Sequence, residues 1–233
     1  SKDGKTLIQP LTSIKGLGDA AIAQIVANRP FNKVEDFLFN ENITYSKLNK
    51  KALDVLARSE ALDPLIDKRF KGRRHFWFTI AVERPRKEKN LQENIDKHLL
   101  FLQKEGGVDF RKEERIENLV SLTGMFPMHL VVNDDTLNRL REKYVPPISE
   151  YDPELELVWF IPRKVIPRKT KNDKTYWILE VTDANNALTT IKCWGIKGNE
   201  MMNINQPYIA KLEHSEQWGF STRSIRHNFR LLG

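Results

Sequence analysis

Leu11-Thr12-Ser13-Ile14-Lys15-Gly16-Leu17-Gly18-Asp19-Ala20-Ala21-Ile22-Ala23-Gln24-Ile25 is the stretch on which the reading of this chain turns. An apolar residue, a spacer and Gly-apolar-Gly open an alanine-rich run whose apolar residues recur at helical spacing. Glycine admits positive φ and has no side chain to hold a ligand away from the backbone. The pattern predicts a tight turn between two helices. The N–H groups of Leu17, Gly18 and Asp19 should stand at the positive end of the second helix, where an anionic oxygen is favoured. Leu17 is expected to point inward and pin the turn, and Lys15 to add a charge contact to a phosphate bound at Gly16–Asp19. Such a device touches phosphates and no base edge, so it implies a sequence-independent grip on a backbone. A ligand-free turn would use the same glycines, but Ala20 and Ala21 permit close helix packing and favour the binding reading. Asp19 sets a carboxylate near the phosphate, although an acid in the first turn also suits the helix dipole.

Outward from this turn, helical spacing continues to about Leu65 through Val34, Phe37, Leu38, Leu48, Leu53, Leu56 and Leu62. Arg29-Pro30, Asn40–Asn42 and Asp63-Pro64 divide the run into four or five short helices. Residues 76–150 read as mixed. A strand is expected over His75–Val82 (HFWFTIAV), then helices over Leu91–Glu105, Lys112–Leu122 and Asp134–Lys143, before Pro146-Pro147. Leu91, Ile95, Leu99 and Leu102 share one helical face, and Leu100 and Phe101 read as core. Beyond Leu155 come strand-like runs: Leu157–Ile166, Thr175–Thr182, Thr189–Trp194, Tyr208–Glu213 and Phe220–Ile225. Five strands with an insertion over Gly195–Pro207 suit a Greek-key barrel of the OB type, while periodicity alone leaves other small barrels and a sandwich open. The expected fold class is α+β and multidomain. It comprises a helical helix-hairpin-helix module over 1–75, a mixed connecting segment over 76–150 and a five-stranded OB-type barrel over 151–233.

At 233 residues, 40% apolar and 30% charged, the composition argues against a disordered chain. No apolar run approaches the roughly 20 residues that cross a bilayer, and SKDGKTLIQP lacks the core of a signal peptide. Cys193 is the only cysteine, so no disulfide forms, and the five histidines are scattered; neither metal nor cofactor is expected. A reducing, cytoplasmic setting follows, with no membrane partner. A start at Ser1 suggests a portion of something longer. The net charge of +7 suits a polyanionic partner. Basic residues gather in Lys68, Arg69, Lys71, Arg73 and Arg74, and again in Arg163, Lys164, Arg168, Lys169, Lys171 and Lys174.

The barrel offers what a single strand needs, aromatic rings for bases and cations for phosphates. Arg168, Lys169, Lys171 and Lys174 belong to the loop joining the first two strands. On the second strand Tyr176 alternates away from the apolar set Trp177, Leu179 and Val181, which makes it the expected stacker. Lys192 and Trp194 share a face of the third strand, and Trp218 lies in a Gln-Trp-Gly turn where little core is available.

LTSIKGLGDAAIAQIVANRPFNKVEDFL followed by LNKKALDVLARSEALDPL resembles the tandem helix-hairpin-helix region of the alpha subunit of bacterial DNA polymerase III. Residues 157–225 are similar to the OB-fold that follows it there. The resemblance covers residues 11–66 well and 157–225 moderately, and the divergent middle suggests a phage or other mobile relative, in a bacterial or phage-infected host cell. It implies a second hairpin at Lys47–Lys51, without glycines, where phosphate contact would depend on Lys50 and Lys51. It implies DNA, duplex and single-stranded, as partner, and a sliding clamp or other replisome protein as a further one. Only Leu100-Phe101 and Ser121–Phe126 come near the family's clamp-binding peptide, and neither begins with glutamine.

The family's nucleotidyl-transfer carboxylates lie upstream of these modules, and this chain has no Asp-x-Asp pair. Asp134-Asp135 and Glu113-Glu114 are adjacent and diverge, and Asp152, Glu154 and Glu156 read as a solvated edge, so two-metal catalysis finds no residues. No Walker loop or catalytic triad is legible, so no catalytic residue is named. The reading is a non-catalytic, DNA-holding portion of a DNA-directed DNA polymerase. Its rivals are a stand-alone replication or repair adaptor and an RNA-binding OB appendage.

Overall fold

The computed structural model describes residues 9–155, 157–198 and 200–232. The chain forms two compact units, Ser1–Met125 and Phe126–Gly233.

In the first unit a 3-10 turn, Leu11–Ser13, leads through the glycine hairpin into α1 (Asp19–Ala27). Then follow α2 (Val34–Leu38), α3 (Lys50–Arg58) and α4 (Arg73–Trp77). The Asp36 carboxylate accepts from the N–H groups of Asn32 and Lys33, and Asn49 caps α3 by accepting from Ala52 N at 3.0 Å. Next come α5 (Glu88–Lys104) and α6 (Lys112–Thr123), the latter closed by Gly124 at φ +75°.

The strand expected over His75–Val82 is helical instead. α4 runs on into a π-helical turn, Phe78–Val82. Aromatic and β-branched residues pull this segment toward strand in isolation. Burial of His75, Phe76, Thr79, Ile80 and Ala81 follows a helical repeat, and the Thr79 hydroxyl donates back to the His75 carbonyl at 2.8 Å. This packing joins residues expected in a separate middle segment to the first core: Phe76, Ile80, Leu91, Ile95 and Leu122 lie with Ile14, Val34, Phe37, Leu48 and Leu53. On α5 the buried face is Leu91, Ile95, His98 and Leu102, whereas Leu100 and Phe101, expected in the core, are exposed.

In the second unit, α7 (Asp134–Glu142) precedes a curled, mixed sheet of seven segments. These are β1 (Val158–Lys169), β2 (Thr175–Thr182), β3 (Leu188–Cys193), β4 (Tyr208–Ala210), β5 (Glu213–Ser215), β6 (Gly219–Thr222) and β7 (Phe229–Leu231), with the short helix α8 (Ile225–Asn228) before β7. Their order is β5-β6-β3-β2-β1-β4-β7. The long β1 changes partner along its length, pairing with β4 through Phe160 and with β2 from Ile161, with an irregularity between Pro162 and Lys164. That exchange bends the sheet around Phe160, Leu179, Val181, Ile191, Cys193 and Phe229. Five strands were expected. The expected run Tyr208–Glu213 is divided at Lys211 and Leu212 into β4 and β5, and β7 is an addition. Asp183, directly after β2, is fully buried and accepts from the N–H groups of Ser149 and Asn185.

His75 is also fully buried, accepting from Lys71 N at 3.2 Å through Nδ1 and donating from Nε2 to the Ile95 carbonyl at 2.8 Å. Burial holds its pKa below the ordinary histidine value. The folded state therefore resists protonation more than the unfolded one. Its stabilising contribution is present above about pH 6.5 and is lost as pH falls toward the depressed folded value. Thermal melts should show a lower midpoint at about pH 5.5 than at about pH 7.5, with the difference reduced in His75→Gln; an equal difference in both proteins would exclude His75 as the cause.

Candidate nucleic-acid interface

In the hairpin, Gly16 has φ +85° and Gly18 is the extended N-cap of α1. Lys15 N donates to the Leu122 carbonyl at 2.7 Å, which fixes the loop to α6. Leu17 is buried as expected, but its N–H donates to the Ile14 carbonyl at 3.2 Å. Closing the turn consumes that donor, so Leu17 is corrected out of the expected set. Gly16, Gly18, Asp19 and Ala20 are exposed, and their N–H groups find no acceptor among the described residues. The corner is open to an incoming anion.

The two glycines differ. Gly16 adopts a conformation that L side chains rarely take, whereas a Cβ on Gly18 would meet nothing within 4 Å and its φ is −77°. No internal contact calls for glycine at position 18.

Facing Gly18, Ala20 and Ala21 across a concavity of about 440 Å³ are Ser46, Lys47, Asn49, Lys51 and Ala52. The Lys47–Lys51 turn, expected as a second hairpin, is thus brought beside the first, and Lys51 lines the same hollow. Lys50 does not: its Nζ donates to the Val82 carbonyl at 2.9 Å. Ser46, Lys47 and Asn49 were not singled out from sequence, although Asn49 directly before a helical run carries an N-cap signal.

The two basic clusters part company. Arg69 bonds Glu35 at 2.7 Å and Asp67 at 2.6 Å, and Arg73 bonds Asp63 at 2.7 Å. Arg69 holds the Glu35 carboxyl below its usual range. Lys71 Nζ is held by the Lys68 carbonyl and Arg74 reaches the Gly107 carbonyl. The first cluster is largely internal bracing rather than a free basic face. In the second, Arg163 is half-buried over the Phe126 ring and Lys169 bonds Asp173 at 2.7 Å, while Lys164, Arg168, Lys171 and Lys174 are exposed.

On the curled sheet Tyr176 stacks on Trp194 at 4.5 Å and 24°, and Lys192 Nζ lies 5.0 Å from the Trp218 ring centroid. Lys192, Trp194 and Trp218 line a hollow of about 530 Å³ with Glu213, His214, Ser215 and Ser221. Trp218 is 62% exposed. Arg168 pairs across strands with Tyr176, so the basic end of β1 adjoins this aromatic row. Cys193 is buried, which pushes its thiol up to about 12 and leaves it unreactive. Asp152 and Glu154 are exposed; Glu156 lies outside the described residues.

The family model for the helix-hairpin-helix motif matches residues 1–72, which marks this part as a helix-hairpin-helix and is consistent with a DNA-binding module. No curated protein matches the chain.

Substitution should separate the two glycines. Gly16→Ala forces a side chain into positive φ and should cost about 1 kcal/mol. Gly18→Asp supplies a favoured N-cap and should melt at or above wild type. The same carboxylate competes for the first-turn N–H groups and repels phosphate, so duplex affinity in a fluorescence anisotropy titration should fall at least tenfold; unchanged affinity would show that these donors bind nothing.

Proposed function

We propose that this chain holds nucleic acid without reading its sequence, gripping duplex phosphates through the N-terminal hairpins and a single strand on the curled sheet. The observation that carries the reading is the set of unpartnered N–H groups at Gly16, Gly18, Asp19 and Ala20 beside the side-chain-free surface of Gly18. A phosphate oxygen supplies the acceptors that the fold leaves wanting, at the positive end of a nine-residue helix. The helix-hairpin-helix match over residues 1–72 supports the same conclusion.

The sheet is read as an OB-type barrel. Support comes from the antiparallel succession β1-β2-β3, the parallel pairing of β3 with β6, the β5–β6 hairpin and the return of β4 onto β1. Only Lys211 and Leu212 separate β4 from β5, so Tyr208–Ser215 counts as one interrupted strand; with β1, β2, β3 and β6 it makes five, and β7, paired with β4, is an addition to them. The outward row of Tyr176, Lys192, Trp194 and Trp218 then occupies the face on which such barrels take single strands. The further assignment, to the DNA-holding part of a replicative polymerase like the polymerase III alpha subunit, rests on the resemblance of residues 11–66 and 157–225. Nucleotidyl transfer is assigned to no residue of this chain.

Affinities for duplex and single-stranded DNA, each at two ionic strengths, test the division. Binding should weaken steeply with salt as condensed counterions are released. Trp218→Ala removes an exposed ring, should leave the melting temperature unchanged, and should lower single-strand affinity about tenfold. Gly18→Asp should lower duplex affinity alone. A flat salt response, or equal loss of both ligands in both variants, contradicts the proposal.

A further inference from the structure

Two segments far apart in sequence, residues 45–49 and 84–86, meet at the start of α3. Tyr45, which precedes α3, receives the Arg84 guanidinium over its ring at 4.0 Å, and Arg86 lies 5.7 Å from the same ring centroid. Arg84 is 9% exposed and one of its Nη groups donates to the Leu48 carbonyl, just before the Asn49 cap. Its Nε has no hydrogen-bond partner, and no carboxylate pairs with Arg84 or Arg86 among the described residues. Of the acids flanking the pair in sequence, Glu83 is taken up by His98 and Lys97, and Glu88, exposed in the first turn of α5, makes no ion pair with either arginine. Burial pushes the Arg84 guanidinium below its ordinary value.

Two cations converging on one ring, one of them desolvated and neither neutralised, is an arrangement that costs free energy unless an anion completes it. The ring itself returns only about 0.5–2 kcal/mol per cation. Arginine is the residue whose fork fits a phosphate edge. The adjoining α3 offers the N–H groups of Lys50 and Lys51, which find no acceptor among the described residues, and Lys47 and Lys51 line the hollow beyond. The sequence Arg84-Pro85-Arg86-Lys87 adds no acid.

We propose that Tyr45, Arg84 and Arg86 form a second phosphate site, in which guanidinium groups from outside the motif replace the glycine backbone that the second hairpin lacks. It rests on the duplex-binding reading above and deepens it: the anion is a phosphodiester of the duplex engaged by the first hairpin. Pro85 between the two arginines fixes one backbone angle of the segment that carries them.

The test is duplex affinity over a range of salt for wild type, Arg86→Ser, Arg84→Lys and Gly18→Asp, with melting temperatures of each. Arg86→Ser, at an exposed position, should keep the wild-type melting temperature, bind about three- to tenfold more weakly, and lower the salt slope by about one. Arg84→Lys keeps the charge but loses the fork, and should weaken binding similarly. If both arginine variants bind as wild type while Gly18→Asp is weakened, the second site is overturned and the first hairpin's role stands. If Arg84→Lys lowers only the melting temperature and Arg86→Ser binds as wild type, Arg84 is a structural brace and the proposal fails. If Gly18→Asp also binds as wild type, the duplex reading fails and this site with it.

Discussion

Every α-helix begins with N–H groups that no earlier turn of the helix can accept, and the protein must bury them against a cap, leave them to water or offer them to a ligand. This chain treats its helices differently on that point. α3 and α7 are capped by Asn49 and Asn133, and the start of α2 is drawn in by Asp36. α1 has a glycine N-cap with no side-chain bond. The reverse φ at Gly16 turns the chain, the Ile14–Leu17 bond locks it, and α6 holds it through Lys15, so the open donors are presented on a rigid frame. A frame that needs little ordering on binding loses less of its interaction energy to entropy.

Charge obeys a similar division. Arg58, Arg69, Arg73 and Arg115 are committed to Asp54, Glu35, Asp67, Asp63 and Glu60; the Arg69–Glu35, Arg73–Asp63 and Arg115–Glu60 pairs tie segments of the first unit together, while Arg58–Asp54 and Arg69–Asp67 are local. Among the described residues, the cations without a carboxylate partner include Lys15, Lys47, Lys51, Arg84 and Arg86 around the hairpins and Lys171 and Lys192 in the second unit. Net charge is therefore a poor guide to where a polyanion would sit. The distribution of acids around each base decides it.

This explains what could be read from the sequence and what could not. The turn was legible because the positive φ at Gly16 forces a residue type there, and the alternation that sets Tyr176 apart from Trp177, Leu179 and Val181 follows from the strand's two-residue period. The pairing of Arg69 with Glu35 was not legible, since 34 positions separate them and only the fold brings them together. The π-helical Phe78–Val82 was missed because its aromatic content mimics a strand, while its burial repeat appears only once α5 packs on it. Arg84 and Arg86 carried no signal of their own; their meaning arises from Tyr45, which the fold sets beneath them. The loss of the Leu17 donor is equally a matter of closure, a hydrogen bond across three residues that no composition rule announces.

The most direct measurement is amide chemical-shift mapping on the ¹⁵N-labelled protein titrated with a short DNA duplex. The resonances of Gly16, Gly18, Asp19 and Ala20 should move early and furthest, with Leu17 shifting least in the turn because its proton is already bonded. Unmoved Gly18 and Asp19 amides in a complex that forms elsewhere on the surface would contradict the central claim.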